Sequence, residues 1–378
     1  MTPAAVAVIR PAALRSNLDR VRDLAPGCPV LAVIKANAYG HGLIQVARIL
    51  EGAEAFAVAR LEEAMQLREG GIRKRLVVLG GCLTPEEVRV ASDLELDVVV
   101  HSTRQVALLE AAALGAPVAC WLKVDTGMGR LGVEPSAVPD LLKRLRIAPA
   151  VKSLTLMTHL GCADDHSDPA TGEQLQAFSR LLESWDGDVS LANSATILQW
   201  PDTLRSGGVL RYPARNWVRP GIMLFGASPL RGKSAIDLGL RPAMSFETRL
   251  IAVKPIRKGQ RVGYGGHWVA PRDSVLGVAA AGYADGYPWH AGAGTPVGIR
   301  GYAAPLVGRV SMDMLTIDLT EVPGAIAGDL VVLWGDSPTV EEIAAAARTI
   351  PWTLMTGINR RVAVRVEADL VRPERIPS

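Results

Sequence analysis

The strongest constraint on this chain is an alternation sustained over roughly its first 225 residues: a short apolar run, a polar break, then a helical pattern. Eight runs read as strands: Leu31–Lys35, Ala55–Ala59, Leu76–Gly80, Asp97–His101, Val118–Val124, Ser153–His159, Val189–Asn193 and Trp217–Gly221. They are nearly continuous in apolar character and rich in β-branched residues, which suits strands of a parallel sheet buried on both faces. The segments between them carry helix starts. Thr84-Pro85-Glu86-Glu87 offers a capping hydroxyl, a proline at the first helical position and a glutamate three residues after the cap. Ser102-Thr103-Arg104-Gln105 and Thr171-Gly172-Glu173-Gln174 read as similar capping boxes. Eight such units predict a TIM-type (β/α)8 barrel over residues 1–235. Pattern alone leaves an open doubly wound sheet as the competitor.

After a loop around Arg231–Leu240 the texture changes. Ser245–Val253, Ser274–Ala281, Pro296–Ile299, Met314–Leu319 and Asp329–Leu333 are short, β-rich and separated by Gly/Pro turns, with one helix opened by Thr339-Val340-Glu341-Glu342. Residues 236–378 therefore read as a mostly antiparallel β domain, ending in an exposed polar tail beyond Arg372. The charge balance is +3, from 41 basic against 38 acidic residues, and no block of like charge appears, so a nucleic-acid partner is not indicated. The apolar runs are too short to cross a bilayer, and the N-terminus meets Arg10 before any long apolar run. A cytoplasmic protein without a membrane partner is expected. Cys28, Cys82, Cys120 and Cys162 are far apart with no CxxC, which predicts free thiols and no metal site.

In a barrel of this kind catalytic groups project from the C-terminal ends of strands. Lys35 closes the first predicted strand, Lys123 and Asp125 the fifth, and His159 the sixth; Asn193 and Ser194 follow the seventh, and Arg219 lies on the eighth. Basic and hydrogen-bonding groups at five strand ends form a ring around one cavity. A lysine ending an apolar strand has its ammonium desolvated or paired, which suits an amine forming a Schiff base. Taken alone, Lys35 reads better as a lysine that merely snorkels to the barrel mouth.

It does not stand alone. The stretch Ala32-Val33-Ile34-Lys35-Ala36-Asn37-Ala38-Tyr39-Gly40-His41-Gly42 resembles the cofactor-lysine motif of the alanine racemases. The resemblance continues through Trp121–Gly132, Val218–Ile222, Val262–Gly266, Gly282–Pro288 and Gly308–Asp313, six collinear blocks over essentially the whole chain. It implies interconversion of L- and D-alanine on pyridoxal 5'-phosphate, supplying D-alanine for peptidoglycan, in a homodimer with shared active sites. By the same resemblance Lys35 would hold the cofactor and act as one base, and Tyr264 as the other. The cofactor phosphate would lie on Tyr39, Ser194, Gly221 and Ile222, and Arg219 would face the pyridine nitrogen, with His159 and Asn193 also on the cofactor side. Arg130 would meet the substrate carboxylate or the cofactor's ring oxygen, Met312 would add a substrate contact from the partner subunit, and the lysine matching Lys123 is carbamylated in some family members, where it orients that arginine. A plain Lys123–Asp125 ion pair, or a solvated lysine, accounts for that residue equally well.

The chain departs from the family pattern in places. Trp289, at the substrate entrance by this resemblance, stands where many relatives carry arginine, Ser311 replaces a cysteine, and Arg360 falls where some members offer a phosphate-binding tyrosine. Three other readings compete. A basic amino-acid decarboxylase of the same plan would lack the Tyr264 block and carry a glycine-rich phosphate loop that this chain lacks. A non-catalytic cofactor-binding protein would match only the first domain. A broad-specificity racemase of the exported kind would need a signal peptide.

Overall fold

The structure, a computed structural model, describes residues 4–205, 210 and 214–368. It divides into two compact units. One is Ser16–Leu224 with Ser228–Leu240; the other holds the described residues before Ser16, Phe225–Ala227, and those from Arg241 onward.

The first unit contains a seven-stranded sheet whose spatial order follows the chain: Leu31–Val33, Ala55–Val58, Arg75–Val78, Leu96–Val100, Val118–Lys123, Val151–Met157 and Asp188–Ser190. All neighbours are parallel, and helices such as Leu61–Glu69, Pro85–Asp93 and Thr103–Ala111 connect them. The eighth expected strand, Trp217–Gly221, is not a continuous strand, because Pro220 has no N–H to give a ladder. It still closes the sheet. Asn216 bridges Val189 and Val218 bridges Val30, both parallel. Trp217 N donates to Val189 O (2.8 Å), Leu31 N to Val218 O (2.8 Å) and Val33 N to Pro220 O (2.9 Å). Both edges of the sheet are thereby occupied, so the alternation builds a barrel and not an open doubly wound sheet.

Arg75 opens its strand and Asp97 is the second residue of its own, at the end opposite the candidate chemistry. Asp97 accepts from Arg75 Nε and from the Trp121 indole, both at 2.7 Å, and the Arg75 guanidinium lies 5.5 and 5.0 Å from the ring centroids of Trp121 and Trp217. The buried carboxylate is thus paired and hydrogen-bonded, as burial of a charge requires.

Three of the four expected caps form, and only Thr339 with Glu342 closes the full reciprocal box. Thr84 Oγ1 accepts from Glu87 N (3.2 Å), Ser102 Oγ from Gln105 N (3.3 Å), and Thr339 Oγ1 from Glu342 N (3.2 Å). Thr171 does not cap. Asp168 accepts from the Ala170 amide (2.9 Å), so the helix Ala170–Leu182 starts earlier and leaves Thr171 buried inside its first turn.

In the second unit Met244–Ile256 is the central strand, flanked antiparallel by Leu330–Trp334, Ala5–Ile9 and Ser274–Ala279. Pro296–Ile299, Tyr302–Pro305, Leu315–Asp318 and Ala363–Val366 complete the sheet. The strand Ala5–Ile9 and the helix Pro351–Thr356 were not expected from sequence. Ala5–Ile9 has no period of its own that marks it as part of a unit beginning some 240 residues later; its partners Met244–Thr248 and Ala363–Val366 decide the matter. The tail beyond Arg372 lies outside the described residues. Among the described residues no helix is long and apolar enough to cross a membrane, and all four cysteines are free thiols.

Candidate active site

Lys35 stands just beyond the strand Leu31–Val33 and opens a turn of unusual hand. Ala36, Asn37, Ala38 and Tyr39 all have φ of +53 to +54°, a left-handed conformation that costs L-residues roughly 1–2 kcal/mol each. Such strain persists where surroundings over-determine it, and it clusters at functional sites. The turn carries the partly buried Lys35 at one end and the buried Tyr39 at the other. Burial and the charge of Arg130 lower the Lys35 pKa, while Glu63 opposes them.

Arg219, 4 % exposed, is held from three sides. It donates to Ser190 Oγ, to Thr158 O (2.6 Å) and to Leu191 O (3.3 Å), and its Nη2 lies 3.5 Å from His159 Nδ1. Burial lowers its pKa to about 10, so it remains a cation at neutral pH. On the other side of the imidazole, Asn193 Nδ2 lies 3.4 Å from His159 Nε2 and donates to Leu160 O, while Asn193 Oδ1 caps the helix Ser194–Gln199 at Thr196 N (3.0 Å). Desolvation, then the charges of Arg219, Lys123, Arg130 and Lys35, push the His159 pKa well below its ordinary value. His159 is therefore a neutral ring between two donors.

Tyr39, Ser194, Gly221 and Ile222 form a small cup. Ser194 Oγ accepts from Gly221 N (2.9 Å) and Met223 N (3.4 Å), which leaves its own O–H to donate. A Cβ on Gly221 would lie 2.4 Å from the Tyr39 hydroxyl, so only glycine lets that phenol approach the Gly221 backbone. Ile222 is 2 % exposed and opens the short helical turn that follows.

Lys123 ends its strand almost fully buried. Desolvation, then Arg219 and Arg130, lower its pKa to about 8, with Asp125 opposing. The simple Lys123–Asp125 pair gains no support. Asp125 Oδ1 is spent on the amides of Gly127, Met128 and Gly129 (2.9–3.1 Å), which shapes the loop that presents the exposed Arg130. The charges of Lys35, Arg130 and Arg219 thus act on both Lys123 and His159.

Tyr264 and Met312 belong to the β unit, where three of the motif blocks meet. Gly263 packs so that a Cβ there would sit 3.4 Å from Arg309 N; Tyr283 N donates to Ser311 O (3.1 Å) and Ala284 N to Met312 O (3.0 Å). Tyr264 is 71 % and Met312 53 % exposed, and Tyr283, Met314 and Trp289 of the same unit are exposed as well. Arg360 is exposed, and its neighbour Arg361 is the bonded one, bidentate to the buried Asp285 (2.7 and 2.9 Å) and reaching Asp313 (2.7 Å).

Sequence reading missed the supports of the site. Ser190 and Thr158 fix Arg219, while Gln174 donates to Thr126 Oγ1 and His159 O and accepts from Gly161 N. The available signal was polar residues at the ends of apolar runs, Thr158 beside His159 and Ser190 four residues before Ser194.

Two family models cover most of the chain: the alanine racemase N-terminal domain over residues 9–229 and the alanine racemase C-terminal domain over 243–366. The chain is 45 % identical over 368 residues to an alanine racemase of Shewanella loihica, covering 97 % of this chain and 100 % of that protein. The biosynthetic alanine racemase of Pseudomonas aeruginosa superposes with a TM-score of 0.91 at 42 % identity, covering 97 % of this chain and 100 % of that one. The alanine racemase of Bartonella henselae, solved with covalently bound pyridoxal phosphate, superposes with a TM-score of 0.84 at 27 % identity, with the same coverage. With both domain models matched and nearly the full length shared, this chain belongs to the alanine racemase family.

Proposed function

We propose that this protein is an alanine racemase that interconverts L- and D-alanine with pyridoxal 5'-phosphate as cofactor. The observation that carries the reading is the mutual arrangement of Lys35, Lys123, Arg130, His159 and Arg219 beside the cup of Tyr39, Ser194 and Gly221. The Arg130 and Arg219 guanidinium groups with a hydroxyl-lined cup fit a phosphorylated, anionic cofactor, and the space a Gly221 Cβ would fill belongs to that cup.

When bound, pyridoxal phosphate withdraws electrons from the substrate and acidifies its α-hydrogen. The chain's residues do the rest. Lys35 Nζ holds the cofactor and moves the proton on one face of the α-carbon, helped by a lowered pKa that leaves more of it neutral. Tyr264 Oη moves the proton on the opposite face. Tyr39, Ser194 and the backbone of Gly221 and Ile222 hold the phosphate. Arg219 would face the ring nitrogen of the bound cofactor as a fixed donor. Its bonds to Ser190, Thr158 and Leu191 keep it from turning away, and as a guanidinium it gives up no proton at neutral pH. His159 and Asn193 hold Arg219 and the cofactor side of the site in register. Arg130 takes the substrate carboxylate, for which a planar fork is suited. The protein works as a two-fold homodimer in the cytoplasm, with Tyr264 and Met312 serving the partner's Lys35, and it supplies D-alanine for peptidoglycan.

The test is a racemisation assay on the purified, cofactor-loaded protein across amino acids. Either alanine enantiomer should end as an equal mixture, and Lys35→Ala should lose activity. Release of CO2 from arginine or lysine without racemisation of alanine would overturn the reading.

Lys123 carries a carbamate in this proposal. Its neutral amine attacks CO2, a C–N bond forms and one proton is released, and the resulting anion pairs with the cations around it. Its pKa of about 8 leaves a workable neutral fraction at pH 7–8. With 13C-labelled bicarbonate the protein should show a carbamate carbon resonance that is missing in Lys123→Ala; its absence from the wild type would remove the carbamate.

A further inference from the structure

Four successive non-glycine residues at positive φ need an external tie, because the local backbone opposes them. Part of the tie lies within the segment: Ala38 N donates to Ile34 O (2.9 Å), Gly40 N to Ala36 O (3.0 Å), and Gly42 N to Asn37 O (3.0 Å). Asn37 Oδ1 accepts from Leu43 N (2.9 Å) and anchors the far end to the helix Leu43–Ile49. The near end, the amide directly after Lys35, donates to a side chain from a different loop. Ala36 N lies 2.6 Å from Glu63 Oε1.

Glu63 sits in the first turn of the helix Leu61–Glu69, which follows the neighbouring strand Ala55–Val58. Its second oxygen, Oε2, accepts from Ala59 N (2.9 Å) and Arg60 N (3.2 Å). That second set is what a glutamate at this helical position ordinarily does for its own helix. The first bond is not, since it leaves the helix and crosses to the loop of the adjacent strand. One carboxylate therefore ties two strand-end loops together at the peptide that carries Lys35. Hydrogen bonds to an ionised carboxylate are the shorter and stronger kind.

We propose that Glu63 is a positioning residue for the reaction: by binding the Ala36 amide it holds the left-handed turn in place and so sets where Lys35 Nζ sits. The proposal rests on the reading of Lys35 as cofactor lysine and base. Glu63 touches neither substrate nor cofactor in this account; it acts through the backbone, apart from the direct effect of its charge on Lys35, which Glu63→Gln removes while keeping the bond. The bland alternative is that Glu63 only caps its own helix, in which case its loss costs stability and nothing more.

The two are separated with Glu63→Ala and Glu63→Gln. Glutamine keeps the length and can turn its carbonyl oxygen to the Ala36 amide, at the expense of the helix cap. In the cofactor-free protein, hydrogen exchange at the Ala36 amide should quicken by about tenfold or more in Glu63→Ala and return most of the way in Glu63→Gln. In the loaded enzyme Glu63→Ala should lower kcat by roughly 10- to 100-fold with the KM for alanine little changed, as displacement of a reacting group by about 1 Å does, and Glu63→Gln should recover most of that loss. Unchanged exchange at Ala36, a kcat within twofold of wild type in Glu63→Ala, or equal impairment of both variants while Ala36 protection returns in Glu63→Gln would each overturn the proposal. If Lys35→Ala itself stays active, the reading of Lys35 has failed; if Lys35→Ala is dead and Glu63→Ala is fully active, only the role of Glu63 has.

Discussion

Lys35→Ala and Tyr264→Phe are each expected to lose racemisation by at least 10²- to 10⁴-fold, the typical contribution of a positioned proton-transfer group. Mixed under conditions that exchange subunits, the two dead proteins should regain about a quarter of wild-type activity. The expectation follows from the chemistry of inversion. A proton must leave one face of the α-carbon and another must arrive on the opposite face, so one group is needed on each side. Lys35 belongs to the barrel unit, and Tyr264 is 71 % exposed on the β unit. In the proposed dimer each site takes Lys35 from one subunit and Tyr264 from the other. Random pairing makes half of the dimers mixed, and each mixed dimer has one site with both groups intact and one site lacking both, hence a quarter of the sites overall. With both groups drawn from the same subunit no mixture contains an intact site. A mixture that stays inactive while mass spectrometry shows exchanged dimers would refute the shared site and return Tyr264 to its own chain.

The second large effect concerns the burial of positive charge. The folded chain holds Lys123 with a pKa near 8, lowered from 10.5 mainly by desolvation. For such a group the unfolded chain binds the proton more tightly, so stability rises as pH climbs from about 8 to 10.5 and the penalty is fully present below that window. A shift of this size corresponds to on the order of 3 kcal/mol. His159, also held well below 6.5 by desolvation and by Arg219, acts in the same direction at lower pH, where acidification costs stability. The buried thiols of Cys82 and Cys120 pull the other way above their ordinary ionisation range, because burial raises their pKa values. Comparing two proteins cancels their contribution. Lys123→Met, studied without cofactor in CO2-free buffer, should be more stable than wild type by on the order of 3 kcal/mol at pH 7, and the advantage should vanish above pH 10.5. Urea denaturation at several pH values measures it. A difference that is flat between pH 7 and 10.5 would mean that the Lys123 ammonium is not desolvated.

What the amino-acid sequence determined was whatever depends on near neighbours. Period and β-branching located all seven regular barrel strands, because a strand buried on both faces needs apolar side chains at every position. The capping pairs Thr84–Glu87, Ser102–Gln105 and Thr339–Glu342 formed because a cap reaches only three residues along its own chain. Lys35, Lys123, His159, Asn193 and Arg219 were legible as strand-end polar residues, and the collinear motif blocks pointed to the family. Tertiary structure decided what depends on distant partners. Trp217–Gly221 closes a barrel only because Leu31, Val33 and Val189 offer it backbone partners on both sides, and Ala5–Ile9 leaves the barrel's sequence neighbourhood to pair with Met244–Thr248. Thr171 does not cap because the helix begins at Ala170, whose amide bonds to Asp168 three residues before Thr171. Nor does any local pattern announce that Ala36–Tyr39 wind left-handed. Alanine and tyrosine disfavour that conformation, and its ties run to distant partners: Ala36 N to Glu63 of another loop, and Asn37 Oδ1 onward to Leu43 N. Local propensity sets which elements form; the sites where the chain runs against that propensity are set by bonds that cross from one loop to another.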